Sequence, residues 1–498
     1  MIAYLTMKIV RSQQMNIKVT KEQAAMLEDT LSQYRGMVRA LMLLINAQWK
    51  TLQHCKEKDV VRSVEALMHP TKKRPLVKHH YFQSRFFKFP SYLRRVAINY
   101  AYGQVSSFQT RYDDWLINGY REKRIKVKVQ NPKKGEQKYR QEVKLLRNKP
   151  PTLNCETKAF PSLYGGQCIR YSEDRQAAEI KVFHKKDWIW IKVQLTGKKR
   201  FDGLFLSPTL VQRNKRFYLS EPVKSEIQLK SKQRFSGKVL AVDSGINTTA
   251  VCAVVDKDGT VHDRFFIDRS DKDRENKRCA RIAKAARQYT RHNHQSKKTH
   301  KLPKGFCTHD YGRLRHLASN QAHHISKQIV QLALKHGCDA IVFEDLKGWK
   351  PKAGRKGGQT KQNFHRWHHR MLHDRVKSKA EEKGLRFIDV FARGTSSEAH
   401  DGSGKVVRDK DNYSLCTLQS KNSKGQNKRY HADLNASYNI AARGILKLYH
   451  PELCKLLWDA LERKSPSITR TPWILATLWN RNAIEEQLRQ ESATQCAA

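Results

Sequence analysis

Ten cysteines are scattered along the 498 residues of this chain, and no two of them stand at CxxC spacing. That absence argues against both a disulfide framework and a four-thiolate zinc site, and it leaves reduced thiols of a cytoplasmic protein as the natural reading. No stretch approaches the ~18 consecutive apolar residues that a membrane-spanning helix needs. Residues 1–8 lack a charged segment followed by an apolar one, so they do not read as a secretory leader. Acid is scarce too: 46 Asp and Glu face 97 Lys and Arg, a formal net charge of +51.

What is present excludes a disordered basic tail. Apolar residues make up 39% of the chain, with nine Trp, eighteen Tyr and eighteen Phe, enough to bury real cores. At about 150 residues per domain, three domains are the starting expectation. A charge of +51 repels itself unless a polyanion neutralises it. Membrane surfaces recruit a local basic cluster, whereas here the excess runs through most of the chain. Nucleic acid is the partner this implies.

The pattern changes character along the chain. Met7–Val10 and Met15–Val19 alternate as one or two strands. Thr20 with Gln23 opens a helix whose apolar face is Leu27, Leu31, Tyr34, Met37, Leu41 and Leu44. Pro90 opens another, through Leu93, Ala97, Ala101 and Val105. Residues 121–149 hold twelve Lys/Arg against three acids with no clean period, which suggests a flexible basic insertion. From 178 to 229 short alternating strands suggest a small barrel. Three more strands, 239–243, 249–255 and 261–267, form an antiparallel meander. A basic helical block at 269–304, an apolar helix ending at Gly337, and a buried strand, Asp339–Phe343, follow. Phe364–Gly384 reads as helix and Arg386–Phe391 as strand, and a polar segment at 394–429 precedes a last helix at 430–443.

Three acids stand where chemistry would place them. Asp243 and Glu344 end apolar strands, and Asp433 begins a helix. A lone buried carboxylate is expensive to keep charged. Alone, Asp243 would be a turn residue before Gly245 and Asp433 a helix N-cap. Together, in a strongly basic chain, the three favour a divalent-cation site. Mg²⁺ takes one or two protein carboxylates plus water and phosphate. Two such ions, Mg²⁺ or in its place Mn²⁺, can serve phosphodiester hydrolysis.

The same residues carry a resemblance. Ala241-Val-Asp243-Ser-Gly-Ile-Asn247, Ile341-Val-Phe-Glu344-Asp-Leu346 and Ala432-Asp433-Leu-Asn435-Ala-Ser-Tyr-Asn-Ile440 resemble, in order, the three RuvC nuclease motifs of the TnpB family and of miniature type V CRISPR effectors. The resemblance covers roughly residues 235–445. It implies a multidomain α+β protein: an RNase H-like (RuvC) α/β nuclease domain at 235–393 and 430–450, and a small β-barrel (wedge) domain at 1–20 and 156–234. An inserted helical recognition lobe at 21–155, an insertion binding target nucleic acid at 394–429 and a helical tail at 451–498 complete it. It implies an RNA-guided DNA endonuclease, from a transposon or CRISPR locus, with Asp243, Glu344 and Asp433 as catalytic, metal-binding acids. Its partners would be a guide RNA and double-stranded target DNA. A nuclease-inactive RNA-guided repressor and a protein-guided junction resolvase or transposase are the alternatives.

Nucleic-acid contacts are expected at Arg281, Lys284, Arg287 and Arg291 in the 269–304 block. They are also expected at Lys347, Trp349, Lys350, Lys352, Arg355 and Lys356 beside Glu344, where a Gly-rich basic loop suits phosphate and Trp349 can stack on a base. His365, His369 and His373 share a helix face with Arg366 and Arg370 interleaved. That suits a basic face along nucleic acid better than a zinc site. Many relatives carry a CxxC…CxxC zinc knuckle before the last acid. Here the first pair falls on Ala399 and Gly402, and only Cys416 remains of the second. The Asp401–Gly404 turn and the strand at 412–417 would then hold the insertion without metal. Elemental analysis of the purified protein is expected to find no stoichiometric zinc; one equivalent per chain would refute that.

Overall fold

The computed structural model describes residues 6–128, 139–156, 158–229, 235–245, 248–295, 302–303, 305–346, 369–462 and 473–497. The chain divides into two compact units, residues 8–225 and residues 226–498 together with 1–7.

In the first unit, Thr20 caps α1 (Lys21–Ala47) in a reciprocal box. Its hydroxyl accepts from the Gln23 N–H, and the Gln23 side chain accepts from the Thr20 N–H. The apolar face expected of α1 is buried throughout, from Leu27 to Leu44. Short helices α2 (Trp49–Leu52), α3 (Glu57–Met68) and α4 (Tyr81–Arg85) lead to α5 (Ser91–Asn118), whose Leu93, Ala97, Ala101 and Val105 share a core with α1. The two alternating segments before Thr20 form one strand, β1 (Thr6–Lys18).

Residues 121–149 differ from the insertion expected there. β2 (Tyr120–Lys128) and β3 (Tyr139–Arg147) pair antiparallel, from Tyr120 opposite Arg147 to Lys128 opposite Tyr139. The run Arg124-Ile-Lys-Val-Lys-Val129 alternates strictly, which is strand patterning that the density of lysine obscures. Next come β4 (Ile169–Tyr171), β5 (Ala177–His184), β6 (Asp187–Thr196), β7 (Leu204–Phe205), β8 (Thr209–Arg213) and β9 (Arg216–Gln228). They join β1 in a seven-stranded sheet of order β4-β5-β6-β1-β9-β7, with β8 on β9.

The second unit is built on a five-stranded sheet. Its strands are β10 (Lys238–Asp243), β11 (Ala250–Asp256), β12 (Val261–Ile267), β13 (Ala340–Asp345) and β14 (Arg386–Phe391), in the order β12-β11-β10-β13-β14. The first three form the antiparallel meander; β13 and β14 then add in parallel. Parallel neighbours require crossovers. α6 (Lys272–Gln295) and α7 (Thr308–Lys335) supply the first, and α8 (His369–Glu382) lies in the second.

Both faces of the sheet are covered, so its central strands read as unbroken apolar runs. Leu240, Val242, Ile341 and Phe343 face α7 and α8 through Ile325, Ile329, Leu372 and Val376. Val239, Ala241, Ala340 and Val342 face α9 (Ala432–Tyr449) through Tyr438, Ala441 and Ile445. The last helices, α10 (Pro451–Glu462), α11 (Leu475–Trp479) and α12 (Arg481–Ala497), are no separate tail: Leu457, Trp473, Leu475, Leu478 and Leu488 complete this same core. Trp473 packs against the Phe391 and Trp458 rings, as an ordinary core residue.

The polar segment before α9 folds into a small antiparallel sheet of β15 (Val407–Arg408), β16 (Leu415–Lys421) and β17 (Asn427–His431). Ala399 and Cys416 pack there with Leu418 and Ala432. The Asp401 carboxylate accepts from the Ser403 N–H and hydroxyl and from Ser420.

α9 lies close to the sheet because position 444 is glycine. A Cβ there would stand 2.4 and 2.7 Å from the two methyls of Val342. A branched valine cannot turn both methyls away. Gly444→Ala is therefore expected to destabilise the chain by about 1–3 kcal/mol, as overpacking does; a denaturation midpoint equal to the unsubstituted protein's would contradict this packing.

Candidate carboxylate centre

Strand register brings the first two acids together. Val242 stands opposite Phe343 in the parallel pair β10/β13, so Asp243 and Glu344 are the next residues on adjacent strands. Alternation puts Asp243 on the face of Val239 and Ala241, and Glu344 on that of Ala340 and Val342. That is the α9 face. Asp433 stands in the first turn of α9, where the helix dipole favours a negative charge. All three carboxylates are half-buried.

Their electrostatics are those of crowded acids. Burial first, then repulsion from Glu344 and from Asp433, raises the Asp243 carboxyl well above the ordinary carboxylate range. Burial also raises Glu344, opposed by a hydrogen bond from Thr395 and by the charge of Arg443. The Thr395 hydroxyl donates to Glu344 Oε1. Arg443 is fully buried and donates to three backbone carbonyls, those of Phe391, Arg393 and Trp473. On the open side, the Arg408 guanidinium from β15 stands 3.7 Å from Asp433 Oδ1.

Among the described residues, no three His, Cys, Asp or Glu side chains are drawn close enough together to hold an ion as the chain stands. Thr395 instead engages one oxygen of Glu344, and Arg408 faces one oxygen of Asp433. The donor set still suits a hard divalent cation. It consists of carboxylate oxygens, burial makes the charged forms of Asp243 and Glu344 costly without a cation, and Mg²⁺ needs only one or two of them.

The basic residues divide. Arg281, Lys284, Arg287 and Arg291 are exposed along α6, and Arg370 is exposed at the start of α8. Lys347, Trp349, Lys350, Lys352, Arg355, Lys356, His365 and Arg366 lie outside the described residues. His373 does not join the basic face expected of it. Its ring packs edge-on against Phe343 and Phe387, and Nε2 hydrogen-bonds Asp389 at 2.5 Å. The i+4 spacing from His369 was real, but that side of α8 meets the sheet.

Sequence reading did not single out Thr395, Arg408 or Arg443. Arg443 had a signal: Asn435, Asn439 and Arg443 recur every four residues on a mostly apolar helix, and all three are buried. Arg408 had none, because the fold of 394–431 alone carries it to Asp433.

A family model described as the Aq_aa04 family matches residues 11–184, about a third of the chain. No curated protein matches. Among solved structures, a Cas12f1–sgRNA–target DNA complex aligns at 12% identity over 87% of this chain and 99% of that one, with a TM-score of 0.28. C2c1 from Alicyclobacillus acidoterrestris, in complex with single-guide RNA, aligns at 12% identity over 84% and 69%, with a TM-score of 0.39. The mini-RNA-guided endonuclease CRISPR-Cas_phi3 aligns at 14% identity over 55% and 57%, with a TM-score of 0.31. Likenesses at these scores decide nothing about this chain's chemistry, which rests on its own residues. No described helix is long and apolar enough to cross a membrane.

Because the folded chain raises the affinity of Asp243 for its proton, the stability this group confers is full below the ordinary carboxylate pKa of about 4 and is lost as pH rises toward the raised value. In chelator at pH 7, Asp243→Asn is expected to raise the thermal midpoint by about 2–4 °C. The difference should vanish in acid near pH 3–4 (about the unfolded pKa); a midpoint lowered at pH 7 would contradict the crowding.

Proposed function

We propose that this chain is an RNA-guided DNA endonuclease of the TnpB or miniature type V kind, hydrolysing phosphodiester bonds at an RNase H-like, RuvC-type centre. The observation that carries the reading is the meeting of Asp243, Glu344 and Asp433, from two parallel strands and a helix start, at one end of a sheet ordered β12-β11-β10-β13-β14. In this reading residues 8–225 supply the wedge-type sheet and the helical recognition lobe.

Asp243, Glu344 and Asp433 would hold Mg²⁺ or Mn²⁺, which supplies the positive charge that phosphodiester hydrolysis demands at the phosphoryl oxygens and the leaving oxygen. The remaining work falls to the protein. Glu344 is aligned by Thr395 and kept ionisable by the buried Arg443. Arg408 supplies counter-charge to Asp433 and presents a guanidinium at the rim, suited to a phosphate. Exposed Arg281, Lys284, Arg287 and Arg291 on one side of α6 offer charge to a nucleic-acid backbone. Pairing between guide and target would supply sequence choice, the protein reading backbone and shape. The net +51 matches a working particle that holds a guide RNA and transiently a DNA.

The protein purified with its bound nucleic acid and given matched DNA and Mg²⁺ is expected to cleave it. Asp243→Ala removes several kcal/mol of charge stabilisation and should slow cleavage at least about a thousandfold. Binding should stay nearly unchanged, since one carboxylate matters little to a charge of +51. Equal loss of binding would make Asp243 a structural residue. Absence of any discrete co-purifying RNA would favour a protein-guided resolvase, and RNA-dependent binding without cleavage a repressor.

A further inference from the structure

We propose that Thr395 is a positioning residue for Glu344, held in place by the helix that carries Asp433; this rests on the reading of the three acids as an ion-binding centre. Thr395 is buried, and its single hydroxyl hydrogen lies within reach of two acceptors, Glu344 Oε1 and, at 2.9 Å, the Ala392 carbonyl. A hydroxyl that donates to the carboxylate fixes one of its two oxygens and leaves the other free to turn toward Asp243.

The segment bearing Thr395 has little regular structure of its own, so something else must fix it. α9 does so with three residues four apart. Asn435 Nδ2 donates to the Glu398 carbonyl at 2.8 Å, and Asn439 Nδ2 donates to the carbonyls of Thr395 and Glu398, both at 2.9 Å. Arg443 donates to the Phe391 and Arg393 carbonyls. Four carbonyls within eight residues are thus tied to one helix face, and Asn439 is itself held at Oδ1 by the Leu475 N–H at 3.3 Å. Asp433 stands one turn or less from Asn435 on the same helix. α9 therefore sets two of the three acids, Asp433 directly and Glu344 through Asn439 and Thr395.

Thr395 takes up only one oxygen of Glu344, and the Arg443 donors go to backbone carbonyls, so the other carboxylate oxygen stays open to a divalent ion. Groups that orient a ligand in this way are worth about 10- to 100-fold in ion affinity or activity when removed.

The test uses the full chain and Mn²⁺ alone as probe. Binding is read from the loss of the free Mn²⁺ electron paramagnetic resonance signal, with a thermal unfolding curve for each variant. Thr395→Val is isosteric and cannot donate; it is expected to weaken Mn²⁺ binding about tenfold and to raise the Mg²⁺ needed for half-maximal cleavage by a similar factor. Thr395→Ser keeps the hydroxyl and is expected to restore both to within about twofold. A merely structural role would move the melting curve and leave the ion dependence unchanged. Thr395→Ala, measured below its own midpoint, serves if valine does not fold. Unchanged Mn²⁺ binding in Val and Ala variants, while Glu344→Gln loses it, would overturn the role of Thr395. Unchanged binding and cleavage in Glu344→Gln would overturn the ion-centre reading itself.

Discussion

The pairing of β10 with β13 is the constraint on which the site depends. Parallel register sets Val242 against Phe343, so two acids 101 residues apart become neighbours on one face. A slip of one residue would send Glu344 to the opposite face, among Ile341 and Phe343 and under α7 and α8. The apolar runs preceding each acid prevent that slip, since both faces are buried and each strand position has its own neighbours. α9 then closes over Asp243 and Glu344, and Gly444 lets its backbone approach Val342 closely enough to bring Asp433 over the strand ends.

Gathering three carboxylates raises the free energy of the fold, and the surroundings offset only part of it. The N-terminal turn of α9 favours Asp433, Arg408 faces it from β15, and Arg443 opposes the rise of Glu344. Asp243 has repulsion from both other acids and only a weak opposing influence from Arg408. Burial and the two neighbouring acids thus raise the Asp243 carboxyl in a chain whose net charge is +51. Among the described residues, Arg281, Lys284, Arg287 and Arg291 are exposed on α6, where they can meet a polyanion, while Arg408 and Arg443 act on the acids.

Much of this was legible in sequence. Helical spacing located α1 and α5, and capping chemistry at Thr20 gave the start of α1 within one residue. Apolar runs ending in acids located β10 and β13. The hairpin of β2 and β3 is hidden in the sequence because lysines outnumber the alternating Ile125, Val127 and Val143, so charge density masks the period. His373 packs on the sheet and not along the basic face, since helical spacing says which residues share a side and not which side meets the sheet. The C-terminal helices read as a tail because their apolar residues have no partner in sequence, only across the sheet.

What the sequence determined by itself was local and compositional: a polyanion partner from the charge, strand and helix from the periods, and three acids marked by the apolar residues around them. Tertiary structure decided what those acids meet. Thr395, Arg408 and Arg443 lie 51, 25 and 99 residues from the acids they serve. Nothing in their flanking residues announces the pairing. Hydrogen bonds and charge act over a few ångströms, and only the folded chain turns separations of that length into distances of that size.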